Sequence, residues 1–284
     1  MADITNRRIG IVGVGRMGLA MAKHLLRHGY RVIGCDVDQK QREAARLAGA
    51  ETVDSPADLG KAARFVIVAV GYDEEVAQVM LGNGGLLQSL GAGALVAVSS
   101  TCAPETVKTL AARATERSID VLDAPICRGA RAADEGTLLA LVGGKPPVFE
   151  QARPVYQTFC SDIAYIGDIG AGQVGKAMNN FLLWVNGIAL IEAGRLSEAN
   201  GIDLVKLRQA LLISFGGSDA LKNWENVSFT WALKDMQIVL KMADAAALSM
   251  PIAGAVKELV KEGRRIKQGN PPDWTGRRHA AAAH

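Results

Sequence analysis

Apolar stretches of strand length, rich in valine and isoleucine, recur at intervals along the first part of the chain and alternate there with helical patterns. That alternation is the mark of strand–helix–strand units and a parallel sheet. The spacing predicts strands at RIGIVG (8 to 13), YRVIGCD (30 to 36), FVIVAV (65 to 70), ALVAVSS (94 to 100), DVLDAP (120 to 125) and LLALVGG (138 to 144). A run such as FVIVAV offers no polar position to either face of a strand. Both faces must therefore be covered, which places helices on each side of the sheet.

From Gln173 the pattern changes to one long helical run, VGKAMNNFLLWVNGIALIEAGRLSEAN, closed by Gly201 where a helix commonly ends. DLVKLRQALL, FTWALKDMQIVLKMADAAAL and IAGAVKELVKEGRRIKQG are helical as well. With 284 residues, the chain exceeds the usual size of one domain. We expect two, residues 1–168 and an all-helical 169–284 that begins with a helix over about 172–200. GRRHAAAAH at the end reads as a frayed or added tail.

Composition removes several classes of function. No stretch approaches the 18 or so apolar residues a membrane helix needs, and the polar start, Met1 to Arg8, lacks the pattern of a secretory signal. The expectation is a cytoplasmic protein. Cys35, Cys102, Cys127 and Cys160 lie far apart, with no CxxC and no Cys/His pairing, which argues against metal binding and a disulfide framework. A net charge of +3, spread without a basic stripe, points away from nucleic acid.

Gly13-Val14-Gly15-Arg16-Met17-Gly18 follows the first strand and opens the helical run LAMAKHLLRHG. Gly13 permits a tight turn, Gly15 lets backbone approach a pyrophosphate, and Gly18 lets the helix pack close on the strand. The helix start then offers amide donors to phosphates. Asp36, 18 residues past Gly18, ends the second strand. Its carboxylate suits ribose hydroxyls and repels a 2′-phosphate, Asp38 adds a second negative charge, and residues 35 to 39 hold no arginine, so NAD is expected over NADP. The fold class is a Rossmann-type doubly wound α/β sheet followed by an all-α domain.

Gly170-Ala171-Gly172-Gln173-Val174-Gly175-Lys176-Ala177-Met178-Asn179-Asn180 opens the long helix. Lys176 and Asn180 are four apart and share a face with Asn179. An alcohol that loses hydride must also lose its hydroxyl proton, and a positioned lysine can take it. On spacing alone, such a lysine is more often a solvated surface charge.

Asp123-Ala124-Pro125-Ile126-Cys127-Arg128-Gly129 sits at the carboxyl end of a predicted strand, where open α/β sheets bind ligands. Its loop amides and Arg128 are candidates for holding an anion, a carboxylate above all; Arg128 reads equally well as a surface arginine. Cys127 invites a nucleophile reading, but the four histidines, at 24, 28, 279 and 284, lie in none of these motifs. Packing is the favoured role for that thiol.

Taken in order, these motifs resemble the β-hydroxyacid dehydrogenase family, which includes 3-hydroxyisobutyrate dehydrogenase and tartronate semialdehyde reductase. The likeness runs through GVGRMGLAMAKHL, SSTCAPETV, DAPICRGARAADEGTLLALVGG, GAGQVGKAMNN, EANGIDL, and Lys234-Asp235 within FTWALKDMQIVL. It implies that Lys176 is the catalytic lysine and Asn180 its substrate-binding companion. It implies that Val70 and Gly71 line the adenosine side, that Thr101 lies by the nicotinamide ribose, and that Lys234 approaches the cofactor. A homodimer or homotetramer is implied too. The family has a serine and two glycines where this chain reads Cys127-Arg128-Gly129, so one carboxylate contact weakens and Arg128 offers a charged replacement. An imine reductase or a sugar-phosphate dehydrogenase on a related fold is the enzymatic alternative, and a non-catalytic NAD-binding scaffold the other. Lys176 speaks against the first and the last, and the scarcity of basic residues beside Arg128 and Arg131 against a phosphorylated substrate. Trp184, Phe215, Asn223, Trp224 and Trp231 are further pocket candidates.

Overall fold

Residues 8–277 are described in the computed structural model of the chain. The tail from Arg278 onward, with His279 and His284, and the first seven residues lie outside them. Two compact units, Met1–Lys176 and Ala177–His284, divide within one helix.

In the first unit, neighbouring side chains along each central strand enter opposite cores. Phe65 and Ile67 pack with Ile9, Ile11 and Leu122 on one face, while Val66 and Val68 pack with Ile33, Val96 and Val98 on the other. This is why these runs carry no polar position. The strands are β1 (Arg8–Val12), β2 (Arg31–Cys35), β3 (Glu51–Val53), β4 (Phe65–Val68), β5 (Leu95–Val98), β6 (Asp120–Asp123), β7 (Ile126–Cys127), β8 (Leu138–Gly143) and β9 (Cys160–Gly167). Between them run α1 (Arg16–Arg27), α2 (Gln39–Leu47), α3 (Pro56–Ala62), α4 (Asp73–Leu81), α5 (Leu86–Ser89), α6 (Pro104–Thr115), α7 (Gly129–Glu135) and α8 (Pro146–Tyr156).

The sheet order is β3-β2-β1-β4-β5-β6-β8-β7, with β9 on β8. Pairing is parallel from β3 through β6. It turns antiparallel where β8 meets β6 and β7, and parallel again at β9. The expected all-parallel sheet thus carries a mixed edge. Strand order reverses direction between β1 and β4, so the loops after these strands flank the crevice where such sheets bind ligands.

Helix α9 (Ala171–Ala199) crosses the division. The second unit continues with α10 (Leu204–Leu212), α11 (Asp219–Lys222), a 3-10 turn (Trp224–Asn226), α12 (Ala232–Ala245) and α13 (Pro251–Gln268). Its core gathers Trp184, Trp224, Phe229 and Trp274. Among the described residues no helix is long and apolar enough to cross a membrane.

Candidate active site

The glycine loop after β1 is shaped by three different steric demands. Gly13 has φ +89°, and a side chain there would press within 2.5 Å of the Ala69 carbonyl. A Cβ at Gly18 would strike the Gly13 carbonyl. At Gly15 a Cβ would meet nothing within 4 Å among the described residues, so only this glycine leaves its backbone open to an incoming group. Gly15 also caps α1 without a side-chain bond, which leaves the first-turn amides for an external acceptor. A pocket of about 250 Å³ opens beside it, lined by Arg16, Leu19, Lys23, Gln41 and Asp134 among others. These residues fit a dinucleotide: a close-packed turn, one bare backbone face and a helix start.

Asp36 leans back onto this loop. Its Oδ2 accepts from the Val14 amide at 2.9 Å and its Oδ1 from the Asp38 amide at 3.0 Å. Sequence reading missed Arg42, one turn into α2, whose guanidinium donates to the Asp36 carbonyl at 2.6 Å and pairs with Asp54 at 3.5 Å. The arginine absent from residues 35 to 39 is therefore supplied from outside that window. Arg16 and Met17 begin α1; Met17 is half-buried, and Arg16 turns onto α7, donating to Asp134 at 2.7 Å. Beneath the loop Cys35 is buried, which pushes its thiol up to about 11.

The neighbouring loops are stitched by side chains that bind backbone. Val70 donates its amide to Ser100 Oγ at 2.8 Å, and Gly71 to Glu75 Oε2 at 2.7 Å. Asp73 accepts from the Ala103 amide and from Thr106 Oγ1. Thr101, half-buried, lies in the loop after β5.

Lys176 is half-buried rather than solvated, and its Nζ donates to the Ile126 carbonyl at 2.7 Å and lies 3.8 Å from Cys127 Sγ. Two sequence motifs 50 residues apart thus meet at one atom. The start of α9 is held by Asp123, which is fully buried and accepts from the Gly170 amide through Oδ1 and from the Gln173 amide through Oδ2, both at 2.8 Å. Burial raises this carboxyl above its ordinary range, against the pull of those amides. Gly143 and Gly172 give it room, since a Cβ at either would fall within 3 Å of a carboxylate oxygen.

Arg128 stands at φ +81°, ahead of Gly129 at φ +74°. Its guanidinium reaches β9, donating to Asp162 at 2.6 Å and to the Thr137 carbonyl at 3.0 Å. The charge that sequence reading offered to an anion is already paired. Cys127 is buried.

In the second unit Asn180 is buried and accepts from Asn179 Nδ2 at 2.9 Å. Trp184 donates to the buried Asp235 at 3.0 Å, and Lys234 lies 5.7 Å from the Trp231 ring centre. Trp224 is buried in the core, Asn223 donates to the Asp219 carbonyl, and Phe215 is fully exposed.

Residues 8–167 match the family model of the NAD-binding domain of 6-phosphogluconate dehydrogenase, and residues 170–275 that of the NAD-binding domain of NADP-dependent 3-hydroxyisobutyrate dehydrogenase. NAD-dependent L-serine dehydrogenase of Pseudomonas aeruginosa is 34% identical over 280 residues, 93% of each chain. This chain belongs to the β-hydroxyacid dehydrogenase family. As a β-hydroxyacid dehydrogenase it is an oxidoreductase acting on hydroxyacid CH–OH groups with a nicotinamide dinucleotide. 3-Hydroxyisobutyrate dehydrogenase of P. aeruginosa is also 34% identical, over 88% of this chain and 90% of its own. The solved structure of Mycobacterium tuberculosis 3-hydroxyisobutyrate dehydrogenase with L-serine shares the fold, with TM-score 0.84 at 24% identity over 96% of this chain and 98% of its own.

Proposed function

We propose that this dehydrogenase oxidises the alcohol of a small 3-hydroxy acid with NAD, or runs the reverse reduction, with Lys176 as the general acid/base. The observation that carries the reading is the anchoring of Lys176 Nζ on the Ile126 carbonyl beside Cys127. That bond takes one N–H and fixes the nitrogen, so in the neutral amine the lone pair is free to accept the substrate's hydroxyl proton. NAD, when bound, accepts the hydride. Gly13, Gly15, Arg16, Met17 and Gly18 would hold its pyrophosphate, Asp36 the adenosine ribose, Val70 and Gly71 the adenosine side, and Thr101 and Lys234 the nicotinamide end.

The relatives named above act on L-serine and 3-hydroxyisobutyrate, both short acids with a hydroxyl on carbon 3. We assign the carboxylate of the corresponding substrate here to Asn180 and to the backbone amides of Arg128 and Gly129 beside Cys127. The Arg128 guanidinium is spent on Asp162. The preference for NAD rests on Asp36, and Arg42 works against it by bringing a positive charge to the same strand end.

Replacing Lys176 with Ala tests the reading. Turnover of L-serine or 3-hydroxyisobutyrate should fall by roughly 10² to 10⁴, the usual worth of a general base, while NADH binding followed by fluorescence stays near that of the parent. Turnover within tenfold of the parent would refute the assignment.

A further inference from the structure

Gln173 is 1% exposed, and both ends of its side-chain amide are bonded. Its Nε2 donates to the Ser100 carbonyl at 2.8 Å and its Oε1 accepts from the Cys102 amide at 3.1 Å. The side chain therefore bonds the backbone on both sides of Thr101. Its own main-chain amide donates to Asp123 at 2.8 Å. Three residues further along the helix, Lys176 reaches back to Ile126, three residues after Asp123. Residues 100–102, 123–127 and 170–176 are thus closed into one cluster whose bonds are all buried or half-buried.

We infer that Gln173 is a positioning residue, a clasp that holds the Thr101 loop in register with Lys176. The inference rests on the proposed role of Lys176. Satisfying the helix start does not require this side chain, because Asp123 already receives the amides of Gly170 and Gln173. What the amide adds is a donor for a carbonyl and an acceptor for an amide, two residues apart in one loop. Leucine supplies neither group. Glutamate supplies the acceptor but, when ionised, turns an oxygen toward the Ser100 carbonyl; once protonated it regains the donor.

The clasp works by keeping two reacting partners in line, and a shift of about 1 Å between them costs on the order of a hundredfold in rate. Gln173→Leu should accordingly lower kcat for L-serine or 3-hydroxyisobutyrate by about a hundredfold. The hydroxy-acid KM and the NADH dissociation constant should stay within about threefold, since uniform binding is untouched. Gln173→Glu should show a kcat, relative to the parent at the same pH, that recovers about tenfold between roughly pH 8 and 6 as the buried carboxyl gains its proton. Urea midpoints recorded at each pH separate this from a change in stability.

A folded Gln173→Leu enzyme with kcat within threefold of the parent overturns the clasp. So does a fall in kcat matched by an equal loss of NADH affinity, which would mean a collapsed cofactor pocket. Should the leucine variant not fold, a Gln173→Glu ratio independent of pH overturns it equally. Lys176→Ala run beside them separates the two ideas. Parent-like turnover there sinks the lysine assignment and the clasp with it, whereas a dead Lys176→Ala beside unimpaired Gln173 variants sinks the clasp alone.

Discussion

Two glycines three residues apart on α9 should respond in opposite ways to the same substitution. A Cβ on Gly172 would lie 2.4 Å from the Leu141 carbonyl oxygen, 2.8 Å from Asp123 Oδ2 and 2.9 Å from the Asp123 carbonyl. Ordinary contact begins near 3.4 Å, so the nearest oxygen must recede by about 1 Å. Two of the three oxygens are main chain, and the third is held by the Gln173 amide. The helix start has to lift instead, which should cost roughly 1–3 kcal/mol of stability. Lys176, one turn on, moves with it, and about a hundredfold in kcat should go too. At Gly175 the nearest atom to a Cβ is Leu141 Cδ1 at 3.3 Å, the end of a side chain that can turn aside. Alanine there removes a helical glycine and should stabilise by roughly 0.5–1 kcal/mol. Urea unfolding of both variants, with m-values compared, should therefore place them roughly 1.5–4 kcal/mol apart, with Gly175→Ala above the parent. Equal losses in the two would refute the steric account of how α9 is seated.

Asp36→Ala removes the acceptor of the Val14 amide and the proposed ribose contact, so kcat/KM for NAD should drop by about tenfold or more while that for NADP rises relative to it; an unchanged ratio would count against Asp36 as the discriminator. Arg128→Gly suits φ +81° and forfeits only an exposed, solvent-screened ion pair, so the urea midpoint should hold or rise. The KM for the hydroxy acid should hardly move if backbone amides carry its carboxylate, and a large rise would return the role to the guanidinium. Lys267 lies over Trp224 at 3.7 Å, and burial lowers its ammonium from 10.5 to about 8. Between those two values the unfolded chain holds the proton that the folded chain has released, so stability should rise with pH across that window. The rise should vanish in Lys267→Met, as urea midpoints at several pH values will show.

The six strands legible in the sequence are those buried along nearly their whole length, as β4 is from Phe65 to Val68. The three that escaped lack that signature. β3 and β7 span three and two residues, and most of β9 is exposed or half-exposed. With them went the antiparallel edge, because pairing direction is not a property of one strand's composition. The glycine loop was readable because each glycine answers a separate local demand. Contacts across long stretches of chain were not. Gln173 meets Ser100 across 73 residues, and Arg128 meets Asp162 across 34, so neither the clasp nor the paired guanidinium leaves a trace in local spacing. Arg42 was missed for a simpler reason. One helical turn carries it back to the strand end that a five-residue window had declared free of arginine.

The four cysteines, all reduced and buried, sit at four of the places where the ligand-binding edge is built. Cys35 ends β2 below Asp36, Cys102 adjoins the clasp, Cys127 lies beside Lys176 and Cys160 opens β9. With burial pushing Cys35 to about 11 and Cys160 to about 12, only on the order of one molecule in 10⁴ or fewer carries either thiolate at neutral pH. Alkylation at those positions has to wait for the edge to open. The chain thus carries native labels for timing local unfolding, strand end by strand end, without a single engineered residue.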